Sequence, residues 1–220
     1  MNNQKDPPEI KLSETTRLEA FSDGVFAIAI TLLVLELIES INPKNGENSL
    51  RSFISHWEPF IAFLIGFFTI LICWINHHHV FSYINKTDTK LPWVNGFVLL
   101  MITLTPLPTA ILAKYLKSEG NFALAIFGFN YFMIAIASYW LCAYSYKNDL
   151  VQNSHRAVFR YITQTYGYSI VYTLIAFLVC FISIPVAIGF YLVLFYVFAF
   201  PKEMAIKLFK RKSGKVKRSH

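Results

Sequence analysis

Charge is scarce in this chain. Only 15% of its 220 residues are Asp, Glu, Lys or Arg, while 55% are hydrophobic and the mean hydropathy is +0.45. Soluble domains carry about a quarter charged residues, so the composition excludes an ordinary solvated surface. Cysteine is scarce and odd in number. Cys73, Cys142 and Cys180 all lie in apolar runs, which excludes a disulfide framework and reads as buried thiols. The chain has no GxSxG, no phosphate-binding glycine loop and no pair of carboxylates in the middle of an apolar run, so nucleophilic and acid–base catalysis find no support. No cleavable leader is expected, because the first fifteen residues are polar and the first apolar segment is long and carries Asp23. Nor is there an internal repeat or a second copy of Phe21-Ser22-Asp23, which points to one domain, small for a transporter built on inverted repeats.

Long apolar runs are what the chain has instead. They predict an all-α integral membrane protein with six transmembrane helices. The first spans about Thr16–Ile38 and is followed by a turn-rich loop, residues 42–49. The second starts near Arg51, passes His56 and Trp57, and ends on His77-His78-His79. The third, Leu91–Leu116, opens with Pro92 and should kink or break at Thr105-Pro106-Leu107-Pro108. The fourth is Phe122–Tyr146, and a polar segment, Lys147–Arg160, follows. The last 40 apolar residues, Tyr161–Phe200, are too long for one crossing and carry Ser183-Ile184-Pro185, so they read as two helices with a tight turn, the final one short. The division is an N-terminal segment at 1–15, the membrane domain at 16–201 and a basic tail at 202–220.

Six crossings place both termini on one side, and sixteen Lys and Arg lie on that side against four on the other. The excess makes both termini cytoplasmic. It also accounts for the net charge of +7 without nucleic acid, and the run Lys207–Arg218 reads as a tail touching anionic lipid.

The first helix holds the most informative pattern. A polar cluster of Arg17, Glu19, Ser22 and Asp23 runs into eleven residues, Val25–Leu35, whose sole polar member is Thr31. A carboxylate inside a membrane helix is expensive and calls for a partner in protein or water. Ile28, Thr31, Leu32 and Leu35 form one stripe, with Asp23 about 140° from Ile28 on the helical wheel. Two readings of the stripe stand side by side: ordinary packing within a bundle, or the lining of an axis shared by several copies, where rings of Ile and Leu gate by dewetting. Glu36 and Glu39 at the outer end are solvated in the first reading and attract cations in the second.

The triple histidine invites a metal, and Cys73 and His77 have i, i+4 spacing. No second cluster of ligands accompanies it, since His155 and His220 are isolated. The favoured expectation is that one imidazole, beside Trp74 and Asn76, meets Ser22 and Asp23 at the same membrane depth, with Asn95 of the third helix a further partner.

Arg17-x-x-x-Phe21-Ser22-Asp23 resembles the RxxxFSD motif of the transmembrane protein 175 potassium channels, and Trp74, the histidines, Asn95 and Leu107-Pro108-Thr109 resemble that family's next blocks. The single six-helix unit is similar to the prokaryotic form. The resemblance implies a homotetramer whose four first helices line a central pore, with no TVGYG filter. It implies a hydrophobic constriction at Ile28, cation selection at Thr31, and further apolar rings at Leu32 and Leu35. It further implies a structural network of Arg17, Phe21, Ser22, Asp23, Trp74, Asn95 and one or more of His77, His78 and His79. The expected function is a potassium-selective channel of a bacterial plasma membrane, with K⁺ as the permeant ion and no cofactor. A proton channel, and a membrane metal protein or enzyme using the histidines, are the alternatives.

Overall fold

The computed structural model describes residues 14–41 and 57–199. The expected loop at 42–49, the positions Arg51 and His56, and the basic tail lie outside the described residues.

Among the described residues seven α-helices follow in order: α1 (Glu14–Ile41), α2 (Glu58–Phe81), α3 (Leu91–Thr103), α4 (Pro106–Tyr115), α5 (Gly120–Lys147), α6 (Arg156–Val179) and α7 (Ile184–Ala199). Their ends follow local chemistry. Pro59 and Pro92 occupy first turns, where a missing N–H costs nothing. Asp88 caps α3 by accepting hydrogen bonds from the backbone N–H groups of Leu91 (2.8 Å) and Lys90 (3.1 Å). α5 ends at Lys147, and the φ of 55° at Asp149 just beyond it turns the chain and lets the Leu150 N–H reach the Ser145 carbonyl.

The third apolar run breaks where the prolines predict. Pro106 cannot donate back to Ile102, so α3 closes at Thr103 and α4 starts afresh at Pro106. The last apolar run divides at residues 180–183, as expected from Ser183-Ile184-Pro185. Two starts differ: α2 opens at Glu58, with Trp57 just outside it, rather than near Arg51. α6 starts at Arg156 rather than near Tyr161, because a single 3-10 turn at Asn153–His155 opens the helix while the chain is still polar.

Five spans among the described residues are long and apolar enough to cross a membrane, with α3 and α4 forming one of them. α7, at 16 residues, is about 24 Å long, short of the ~30 Å hydrocarbon core. Among the described residues there is no ladder strand, only an isolated bridge between Ile84 and Val151 that ties the α2–α3 loop to the α5–α6 loop.

α1 packs against α2, α3 and α4, while α5 packs on α6, α3 and α4, and α7 on α2 and α6. The α1 side of the core is built on Phe26, Leu33, Ile70 and Ile102, all almost fully buried. The other side is built on Phe127, Ala176 and Tyr191. Between helices in lipid such burial gains packing contacts rather than transfer from water. Close approach therefore matters. Gly66 is the point where α2 meets α4 and α1: a Cβ there would lie 2.8 Å from Thr109 Oγ1, 2.9 Å from Thr109 Cγ2 and 3.2 Å from Leu33 Cδ2. Thr109 is held in place by its own bond to the Thr105 carbonyl (2.9 Å).

Two predictions follow from these contacts. Gly66→Ala should lower the thermal midpoint of the detergent-solubilised protein by an amount equivalent to about 1–3 kcal/mol. Gly96→Ala, which has nothing within 4 Å of its Cβ, should show no such loss. The second concerns acid. The Tyr144 hydroxyl, donating to Asp88 Oδ2 at 2.5 Å, and then the Leu91 and Lys90 N–H groups hold the Asp88 carboxyl below its usual range. A depressed folded-state pKa stabilises the ionised form. That contribution is complete above the ordinary carboxylate pKa and is lost as pH falls through the depressed value. The stability difference between wild type and Asp88→Asn, measured by thermal unfolding at stepped pH, should thus shrink towards zero at the acid end.

Candidate functional site

The site is the N-terminal half of α1 and what holds it. α1 buries Ser22, Phe26, Ala29 and Leu33, at i, i+4, i+7 and i+11, against its neighbours. Ser22 is fully buried, and its hydroxyl donates to the Leu18 carbonyl one turn back (2.8 Å). The same oxygen accepts from Asn95 Nδ2 of α3 (2.8 Å), and Asn95 Oδ1 lies 2.7 Å from His77 Nε2 of α2. Three helices are thereby tied through one chain of bonds, and Asn95 is itself 0% exposed.

The chain has a defined direction. The Ser22 hydroxyl has one hydrogen, spent on Leu18, so it can only accept from Asn95. The Asn95 amide must then turn its NH₂ to Ser22 and its carbonyl to His77, which makes His77 Nε2 the donor. A neutral His77 imidazole is the Nε2–H tautomer, with Nδ1 a bare acceptor that finds no partner. The ring is clamped by Phe26 of α1 (centroids 5.2 Å apart) and Phe81 (4.5 Å).

A second set of contacts runs beside the first. The Trp74 indole Nε1–H donates to Asp23 Oδ1 (2.8 Å), and His78 Nδ1 lies 2.8 Å from Glu19 Oε1. Trp74 and His78 stack one above the other on α2 at a centroid distance of 6.0 Å. The expectation that a histidine would meet Asp23 directly is corrected here: the indole takes that position, because Asp23 and Trp74 face each other across the α1–α2 contact. The three histidines point three ways, as successive positions about 100° apart must. His77 faces Asn95, His78 faces Glu19, and His79 lies against Tyr83 (5.0 Å). Among the described residues no group of three or more His, Cys, Asp or Glu is arranged to hold a metal.

Arg17 and Phe21 stand outside this network in the single chain. Both side chains are exposed, and Arg17 joins no hydrogen bond or ion pair among the described residues. On the wheel they continue the line of Ile28, Thr31, Leu32 and Leu35, about 140° from the buried face. Ile28 and Leu35 are each 61% exposed, and Leu32 is exposed as well. Thr31 is exposed, its hydroxyl donating to the Ile28 carbonyl (2.8 Å), which leaves its oxygen free to accept. Glu39 lies on the same exposed side, whereas Glu36 is half-buried. Only 22% of the apolar window of α1 is buried, as for α6 and against 56% for α5, so the described residues leave most of α1 uncovered.

The sequence reading missed two partners. Glu19 was placed in the cluster but not matched to His78; its i, i+4 relation to Asp23, facing the same helix, was the signal. Asn130 of α5 was not singled out. It donates to Thr105 Oγ1 (3.0 Å) at the α3–α4 break, and an amide in mid-membrane was the clue.

Trp74→Phe keeps the ring and removes the N–H, leaving Asp23 without its donor. The loss should be about 1.5–3 kcal/mol, read as a lower thermal midpoint with the helical spectrum intact. The ¹⁵N spectrum of labelled His77 should show a protonated Nε2 and a bare Nδ1, and Asn95→Leu should abolish that preference.

The family described as "Endosomal/lysosomal potassium channel TMEM175" matches residues 17–106, the stretch from Arg17 to the Pro106 break. A potassium channel of Chamaesiphon minutus is 39% identical over 191 residues, covering 85% of this chain and 94% of that one. The endosomal/lysosomal proton channel TMEM175 of Homo sapiens is 34% identical over 98 residues, 41% of this chain and 19% of the human one. Among solved structures, the crystal structure of a lysosomal potassium-selective channel TMEM175 homolog from Chamaesiphon minutus superposes with a TM-score of 0.73 at 37% identity, over 86% of this chain and 97% of that chain. The family and these relatives are ion channels, not enzymes. With its several apolar crossings and its match along most of a bacterial relative, the chain is a multi-pass membrane protein that belongs to the TMEM175 channel family.

Proposed function

We propose that the chain is a potassium-selective cation channel of a bacterial plasma membrane, in which four copies set their α1 helices around a shared axis. The observation that carries this reading is the face of α1 that the chain leaves uncovered. Arg17, Phe21, Ile28, Thr31, Leu32, Leu35 and Glu39 share it, while Ser22, Phe26, Ala29 and Leu33 anchor the opposite side. Ile28 then forms the constriction, with Leu32 and Leu35 as further apolar rings. Apolar side chains replace no hydration oxygens, so a cation passes partly dehydrated. Thr31 offers the acceptor oxygen on the stripe, since its own hydrogen is spent on Ile28. Glu39, and more weakly the half-buried Glu36, concentrate cations at the mouth. α7 makes a sixth, short crossing, so that both termini are cytoplasmic and the basic tail meets anionic lipid.

Within this reading the Ser22–Asn95–His77 chain and the Asp23–Trp74 bond hold α1 on its neighbours so that the stripe keeps its direction. Bacterial relatives are named potassium channels, which favours K⁺ as the permeant ion. Animal relatives that match over shorter stretches are named proton channels, so proton conduction is the second reading. The histidine triplet offers no enzyme reading, given the family.

The test is ion flux from proteoliposomes under K⁺ and then Na⁺ gradients, with a pH-sensitive dye run in parallel. Wild type should pass K⁺ faster than Na⁺, and Ile28→Asn should change the rate in a protein of unchanged oligomeric size. Asp23→Ala should lose assembly before it changes selectivity. Absence of cation flux in intact oligomers would overturn the proposal, and dye acidification without K⁺ flux would replace it by the proton reading.

A further inference from the structure

Away from the α1 stripe, a cavity of about 40 Å³ lies between α2, α3, α5 and α6, with Phe26 of α1 and Phe198 of α7 among its lining side chains. Most of its wall is apolar, with Ile72, Ile102, Ile134 and Leu141 among the lining side chains. No Asp, Glu, Lys or Arg lines it.

Ser169 and Thr173 in its wall satisfy their hydroxyls on backbone carbonyls, but some other polar atoms make no hydrogen bond among the described residues. Asn76 spends its NH₂ on the Ile72 carbonyl (2.7 Å) and the Phe198 carbonyl (2.9 Å), and its Oδ1 accepts nothing among the described residues. His77 is on the same wall, but its bare Nδ1 is sealed from the cavity. Tyr131 and Tyr166 reach the cavity from α5 and α6. They are 6% and 9% exposed, and neither hydroxyl makes a hydrogen bond among the described residues. Buried polar groups without partners are costly, and in a membrane bundle water from the lipid side cannot supply the missing bonds.

We propose that this cavity is a binding site for a small neutral amphiphile carrying a hydroxyl, a molecule of phenol or short-chain alcohol chemistry. A charged guest is excluded because nothing in the wall would balance its charge. The unpaired acceptor at Asn76 calls for an O–H donor, and the two phenols can each donate to or accept from the same hydroxyl. The apolar part of the wall, Ile72, Ile102, Ile134 and Leu141, calls for a hydrocarbon body. At about 40 Å³ the space takes one small guest or about three waters, each needing ~10–15 Å³.

The site is tested with 4-bromophenol and bromobenzene on the full-length wild-type protein, by locating bromine through its anomalous scattering in crystals and by titration in detergent. The readout is independent of ion conduction, so it stands apart from the channel reading. Bromine should appear in the cavity with 4-bromophenol, with bromobenzene binding about tenfold more weakly for want of the hydroxyl. Ala135→Leu, which fills the wall of α5, should remove the signal while the protein elutes as wild type. Ordered water alone in the cavity, with no bromine, would overturn the proposal. So would equal binding of bromobenzene, because it would remove the role of the unpaired polar groups. If Ala135→Leu does not fold, the comparison of the two probes on wild type still decides the matter.

Discussion

Hydrocarbon cannot hydrogen-bond, and the arrangement of this protein follows from that fact. A side chain such as Phe26 is as comfortable in lipid as in the bundle, so its burial alone would not fix the helix. Ser22, Asp23, Asn95 and His77 are different. Each loses several kcal/mol if turned to lipid, and each finds its partner in only one mutual placement of α1, α2 and α3. Polar contacts choose the geometry, and the apolar contacts of Leu33, Ile70 and Ile102 then fill it. Gly66 sets how close the helices come once the choice is made.

The same logic explains how two faces of one helix carry different duties. Near its start α1 places Ser22 and Asp23 towards α2 and α3, and a little further along Ile28 and Leu35 turn away from them. The periodicity of 3.6 keeps those directions locked together. A change in how Asp23 is held therefore reorients the stripe as a rigid unit. The break at Thr105-Pro106, secured by Asn130, gives α4 its own direction and lets Thr109 press on Gly66 at the back of α1.

Much of this was legible in the residues. The lengths of the apolar runs gave the five long apolar spans, and Pro106 and Pro185 gave the breaks, because proline acts on its own helix and needs no tertiary information. The motif residues Ser22, Asp23, Trp74, Asn95 and His77 do come together. What could not be read was who meets whom. Three adjacent histidines are equivalent in a string of letters, and only the angle at which α2 crosses α1 sends His77 inward and His78 to Glu19. Likewise the polar stretch Lys147–Arg160 gave no sign that a helix begins at Arg156, because a helix end projecting beyond the apolar layer looks like a loop in hydropathy. Arg17 and Phe21 were grouped with the network by motif, yet the single chain leaves both exposed.

The direction of the His77–Asn95–Ser22 chain has a consequence for charge movement. A proton hops along hydrogen bonds only if each link can take one up on one side and release another on the far side. Hydroxyls and imidazoles do this readily. The Asn95 carboxamide, held with its carbonyl towards His77 and its NH₂ towards Ser22, would have to pass through an imidic acid to do so. The amide is thus an insulator spliced into an otherwise conductive series. It binds α2 and α3 to α1 mechanically while keeping the inner imidazole out of protonic contact with α1.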